Sequence, residues 1–171
     1  MLHYALQLES PVAIRYPKNT CASECPAFAL PLETGCGVLT AASNESSVLL
    51  ICTGGMYPET VAAAEILGTR GSAVDIYNLR FIKPLNEARL LELVSRQYRT
   101  VVIIEDGCAI GGVGQYLEGL IQKYCTGIAT AVCAFPDTLF MQGSRYDILE
   151  AAGLTGQQIA EIAEQLQKTQ V

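Results

Sequence analysis

The chain has 171 residues, half of them hydrophobic and 16% charged, with a net charge of −6. A length just above the ~150 residues of an average domain, with this apolar content, supplies one substantial core and excludes a disordered chain. The acidic balance, with 11 scattered Lys and Arg, excludes a nucleic-acid surface or an anionic-membrane surface and leaves a small metabolite or a protein as the expected partner.

In chain order, Leu2 to Glu9 reads as the end of a helix, and Pro11 to Pro17 as a short strand closed by proline. Lys18 to Thr34 has little periodicity, several small residues and prolines in or beside it, which suits a linker or a loop wrapped over a neighbour. Beyond Gly35 the pattern becomes regular. Apolar runs at Cys36 to Ala41 and Val48 to Thr53 precede an Ala-rich helical face from Tyr57 to Gly68, ending at Gly71. A strand at Ala73 to Tyr77, a helix at Asn86 to Tyr98, a strand at Thr100 to Glu105, a helix at Gly111 to Tyr124 and a strand at Ile128 to Cys133 follow. Two helices finish the chain, Arg145 to Ala152 and Thr155 to Gln167. Thr155 is the N-cap of the second, ahead of a core-facing Ile159, Ile162, Ala163, Leu166 stripe. The uninterrupted apolar strands Val48 to Ile51 and Val101 to Ile104 imply burial on both faces, the property of a parallel sheet covered by helices. The expected fold is α/β: a three-layer αβα sandwich with a mostly parallel, five-stranded sheet.

No apolar run approaches the ~20 residues that span a bilayer, and Met1 to Ser10 has neither a basic n-region nor a small-residue cleavage site. The expectation is a cytoplasmic protein. Seven cysteines, at 21, 25, 36, 52, 108, 125 and 133, form no disulfide framework: their number is odd, their spacing irregular, and several lie inside apolar runs. The pair Cys21 and Cys25 lacks the second pair of ligands that a structural zinc needs.

Four places carry chemistry. Thr53 to Glu59 leaves a buried strand and opens a helix with Pro58 in its first turn; its free N–H groups suit an anion, but it has no nucleotide fingerprint, and a tight turn that lets helix and strand approach is the favoured reading. Glu105-Asp106-Gly107, followed by Gly111-Gly112-Val113-Gly114, falls where open α/β sheets hold ligands. Paired carboxylates there suit acid–base work or Mg²⁺, but helix capping by the carboxylates and close packing of the glycines against a second subunit are the favoured reading. Arg15, on an apolar stretch before Tyr16-Pro17, needs an anion or a cleft: either a bidentate phosphate or a carboxylate of the same domain. His3 is the chain's one histidine and lies in its frayed start, so a nucleophile–histidine relay has little support.

The loop Arg80-Phe81-Ile82-Lys83-Pro84-Leu85-Asn86 connects a strand to a helix N-cap. It occurs in order with Ala13-Ile14-Arg15-Tyr16-Pro17-Lys18, Cys52-Thr53-Gly54-Gly55, the Glu105 to Gly114 segment, and Phe135-Pro136-Asp137-Thr138-Leu139-Phe140-Met141-Gln142-Gly143. Together these resemble the C-terminal portion of the 1-deoxy-D-xylulose-5-phosphate synthase family, thiamine-diphosphate enzymes of the transketolase superfamily. The beta subunits of 2-oxo-acid dehydrogenases share the middle motifs but not the Arg80 loop or the Pro136 to Gly143 segment. The resemblance implies a carboligation of pyruvate with D-glyceraldehyde 3-phosphate, with loss of CO₂, feeding isoprenoid precursors, thiamine and pyridoxal phosphate.

It also implies that Arg15 binds the aldehyde's phosphate. Thiamine diphosphate and Mg²⁺ would be held by domains outside this chain, so no catalytic, cofactor-binding or metal-binding residue is expected within it. On this pattern residues 1–18 are a remnant of the preceding pyrimidine-binding domain, 19–34 a linker, and 35–171 a transketolase C-terminal-like domain used for scaffolding and dimer contact. The expected partners are the remainder of the synthase and a second copy in a homodimer; alone, the chain is expected to be inactive. Two departures stand out: Asn19 replaces a common glycine, and Asp106 replaces a second glutamate. A freestanding, non-catalytic subunit of a split thiamine enzyme is the alternative, and a nucleotide-binding α/β protein a third.

Overall fold

The computed structural model describes residues 1–17, 25–43 and 45–169. Lys18 and Asn19 of the Arg15 motif, Cys21, and Thr20 to Glu24 of the expected linker lie outside the described residues. The elements are α1 (Leu2–Ala5), β1 (Val38–Ala41), β2 (Val48–Cys52), α2 (Tyr57–Thr69), β3 (Val74–Asn78), α3 (Glu87–Gln97), β4 (Thr100–Cys108), α4 (Val113–Tyr124), β5 (Ala129–Phe135), α5 (Arg145–Ala151) and α6 (Gly156–Lys168). Short 3₁₀ turns at Pro26–Ala29 and Gly54–Met56 precede β1 and α2.

The five strands form one sheet in the order β1-β3-β2-β4-β5. β3, β2, β4 and β5 run parallel, and β1 closes one edge antiparallel to β3. The expected three-layer sandwich with a mostly parallel sheet is thus what the chain forms. Alternation along β2 shows how the layers arise. Val48, Leu50 and Cys52 face a core built with Ala63 and Leu67 of α2, Leu149 of α5 and Ile159, Ala160 and Ala163 of α6. Leu49 and Ile51 face a second core, with Leu90 and Val94 of α3 and Leu117 and Ile121 of α4. Successive side chains point to opposite faces, so a strand covered on both sides must be apolar throughout.

Caps fix where the helices start. The Asn86 side chain accepts the Arg89 N–H at 3.1 Å, and capping boxes form at Ser144 with Asp147 and at Thr155 with Gln158. In the α6 stripe Ile159 and Ala163 are fully buried, with Ile162 and Leu166 packed against the same core.

Three local expectations change. Pro11 to Pro17 is extended but joins no ladder, and every residue in it is exposed. Among the described residues no strand lies beside it, and its terminal prolines have no N–H to offer one. The helix read over Leu2 to Glu9 is one turn, Leu2–Ala5, continued by turn hydrogen bonds such as Leu8 N–H to the Ala5 carbonyl at 3.2 Å. β4 runs past Glu105 to Cys108, where pairing with β5 resumes at Phe135 after a break in register; polar residues inside a strand end an apolar run without ending the ladder.

Candidate functional site

Because β2, β3, β4 and β5 are parallel, their C-terminal ends share one edge of the sheet, the edge at which such sheets present ligands. There the two-residue period sends the adjacent acids Glu105 and Asp106 to opposite faces. Glu105 turns toward α4 and is buried. Its carboxylate accepts the Gly114 N–H at 2.7 Å and the Val113 N–H at 3.3 Å. It therefore caps the first turn of α4, satisfying donors that have no partner within the helix. The surrounding glycines follow from that position: a Cβ on Gly112 would lie 2.3 Å from Glu105 Oε1, and one on Gly107 would lie 2.6 Å from Oε2. These glycines thus make room for a side chain of their own domain.

Asp106 turns the other way, toward the turn after β2. Its Oδ1 accepts the Thr53 hydroxyl at 3.2 Å and an Arg15 guanidinium N–H from Nη2 at 3.4 Å. The Arg15 side chain is 56% exposed and that of Asp106 21%. Gly55 lies so close that an added Cβ would be 2.1 Å from Asp106 Oδ2. Here the turn reading of Thr53 to Glu59 gains a specific reason, the approach of Asp106. Two further polar groups of the segment have structural partners. Arg145 Nη2 donates to the Gly55 carbonyl at 2.7 Å, and Glu59 Oε2 accepts the Gly156 N–H at 2.8 Å.

Arg80, in the loop that carries much of the family resemblance, does not point to this edge. Its guanidinium donates to the carbonyls of Ala27 at 3.0 Å, Leu30 at 3.1 Å and Pro31 at 3.3 Å, fastening that segment to the sheet. Burial lowers its pKa. The groove beside it, of about 820 Å³, also holds Arg89 and Arg96. Both are engaged, with Glu33 and Glu92 respectively, each at 2.7 Å. His3 lies on α1, exposed. Burial pushes the Cys52 and Cys133 thiols up to about 12, which makes both inert as nucleophiles. Among the described residues no three His, Cys, Asp or Glu side chains are grouped to hold a metal ion.

The structure thus brings together Arg15, Thr53, Gly55 and Asp106, and separates Asp106 from Glu105. The sequence reading missed the Thr53–Asp106 contact and the carbonyl clamp of Arg80. Alternation along β4 would signal the first only if the strand were read on past Glu105; the second has no local signal, since its partners lie about fifty residues away.

Comparison with known proteins extends this picture. Residues 38–159 match the family model described as "Transketolase, C-terminal domain". A protein of Treponema pallidum subsp. pallidum named 1-deoxy-D-xylulose-5-phosphate synthase is 47% identical over 163 residues, covering 95% of this chain and 26% of that protein. One of the same name from Desulforudis audaxviator is 32% identical over 168 residues, covering 96% of this chain and 26% of its own length. The chain thus spans about a quarter of the length of these relatives. A solved structure described as "Split gene transketolase, inactive beta4 tetramer" superimposes with a TM-score of 0.73 at 22% identity, over 84% of this chain and 46% of that one. The sheet order, the motifs at its C-terminal edge and the match across 38–159 agree: the chain belongs to the transketolase C-terminal domain family.

Proposed function

We propose that this chain is the C-terminal part of a 1-deoxy-D-xylulose-5-phosphate synthase, joining pyruvate to D-glyceraldehyde 3-phosphate with loss of CO₂. The observation that carries the reading is 47% identity to a protein of that name along 95% of the chain. Enzymes of this family work with thiamine diphosphate and Mg²⁺. Both are assigned to domains outside this chain, which spans about a quarter of the length of its relatives. The cofactor, when bound there, supplies the carbanion chemistry of the decarboxylation.

In this reading residues 1–18 end the preceding pyrimidine-binding domain, 19–34 link it, and 35–171 form the C-terminal domain. Arg15 binds the phosphate of the acceptor aldehyde. Its half-exposed guanidinium at the C-terminal edge of the sheet supports that role, since a planar fork of N–H donors suits a phosphate. The remainder of the synthase and a second copy are the proposed partners, and the cytoplasm the proposed compartment. Leu139 and Met141, in the loop leaving β5, are 103% and 90% exposed; a neighbouring domain would remove such apolar surface from water.

Two measurements test this. The isolated chain, given thiamine diphosphate, Mg²⁺, pyruvate and D-glyceraldehyde 3-phosphate, is expected to release no CO₂ above background; turnover by it alone would overturn the assignment of the cofactor to other domains. An antibody against the chain is expected to detect, in source-cell extract, a polypeptide several times heavier. A band at the chain's own mass would favour a split enzyme with a separate thiamine-binding subunit.

A further inference from the structure

We infer that Asp106 is a positioning residue for Arg15, so that the domain carrying β4 helps build the acceptor-phosphate site as well as supporting the fold. The inference rests on the reading of Arg15 as the phosphate ligand.

Arg15 sits on a segment with no strand partner and no buried residue. A long side chain on such a segment samples many rotamers, and each phosphate contact would have to overcome that entropy. What fixes it is Asp106. The carboxylate holds Arg15 Nη2 at 3.4 Å and is itself held from the sheet, because Oδ1 also accepts the Thr53 hydroxyl. Thr53 is tied in turn to β4, its N–H bonded to the Ile104 carbonyl at 3.0 Å. On the remaining side Gly55 leaves just enough space for Oδ2. The run of contacts leads from the centre of the sheet through two side chains to the guanidinium.

The geometry leaves the ligand-binding function open. Among the described residues Arg15 is engaged through Nη2, and a guanidinium has five N–H donors, so the rest of the half-exposed fork is free to take a phosphate through two parallel hydrogen bonds. Meanwhile the carboxylate balances the cation until the substrate dianion arrives. Neither Glu105, turned into the cap of α4, nor Glu59, bonded to Gly156, is placed to do the same.

The test uses the active holoenzyme that contains this chain, assayed with D-glyceraldehyde 3-phosphate and, separately, with unphosphorylated D-glyceraldehyde as acceptor. Arg15→Met is expected to raise KM for the phosphorylated acceptor, with KM for pyruvate and the kinetics with D-glyceraldehyde unchanged. Asp106→Ala is expected to show the same selectivity, raising that KM by about five- to tenfold. Thr53→Val should move it in the same direction by less, and Asp106→Ala combined with Arg15→Met should be no worse than Arg15→Met alone. Asp106→Asn, nearly isosteric and still able to accept from Thr53, guards against a folding defect, and its KM should also rise selectively. If Arg15→Met acts selectively but Asp106→Ala and Asp106→Asn leave KM unchanged, weaken both acceptors equally, or add to Arg15→Met, the positioning role is wrong and the phosphate reading survives. If Arg15→Met shows no selectivity, the phosphate reading falls and this inference with it.

Discussion

Neighbouring acids of the same charge perform separate tasks in this chain, and the difference is measurable. Glu105 is 1% exposed and accepts two backbone N–H groups at the start of α4. Glu105→Ala would leave both donors without an acceptor, one of them buried, and open a small void, a cost of about 2–4 kcal/mol; Glu105→Gln should cost less, keeping shape but losing charge. Asp106 carries a half-exposed ion pair, and Asp106→Ala should cost below about 1 kcal/mol. Urea denaturation of the three variants checks the contrast; equal losses at both positions would contradict it. The sequence left capping and acid–base chemistry open for this pair because it weighed them as one unit. Period-two alternation separates them only once β4 is seen to run on through Asp106 to Cys108, an extension that its polar residues hid. The orientation of Arg15 was not available from the residues alone: its partner lies 91 residues further along the chain.

At the scale of elements, what could be read locally was read well. Uninterrupted apolar runs marked β2 and β4 as interior parallel strands, and polar N-cap residues marked the starts of α3 and α6. The antiparallel direction of β1 has no local signature, since either direction buries the same side chains. The segment before β1 depends on distant contacts too. Arg80 gathers three of its carbonyls, Phe28 packs edge-on against Tyr57 at 4.9 Å, and Glu33 pairs with Arg89. Arg80→Met should therefore loosen this segment and little else. The amides of Phe28, Leu30 and Cys36, bonded within the segment, should exchange hydrogen about tenfold faster while β2 and β4 keep their protection. Unchanged exchange at these amides would show that the ring contact and the ion pair suffice.

For the molecule as a whole, the largest pH response is expected on the alkaline side. Cys52 and Cys133 are raised from an ordinary 9.0 to about 12 by burial. Tyr98 moves up as well, through burial and the hydrogen bond of its hydroxyl to Asp75 at 2.6 Å. Each group binds its proton more tightly when folded. The unfolded chain therefore loses protons first, and stability, complete below about pH 9, falls as pH rises toward the folded values. Urea midpoints measured from about pH 7 to about pH 10.5 should decline above about pH 9, and Cys133→Ala should flatten the slope. A midpoint that stays constant across that range would refute the sign.

Four of the chain's thiols are spaced through the layers as chemical clocks. Cys108 is exposed, Cys125 is buried in the core beneath α3 and α4, and Cys52 and Cys133 are buried in the core beneath α2, α5 and α6. A thiol-modifying reagent should capture Cys108 at once and each of the others only when its own layer parts from the sheet. The order of capture, read by peptide mass, would tell whether the sandwich opens one slice at a time or all together.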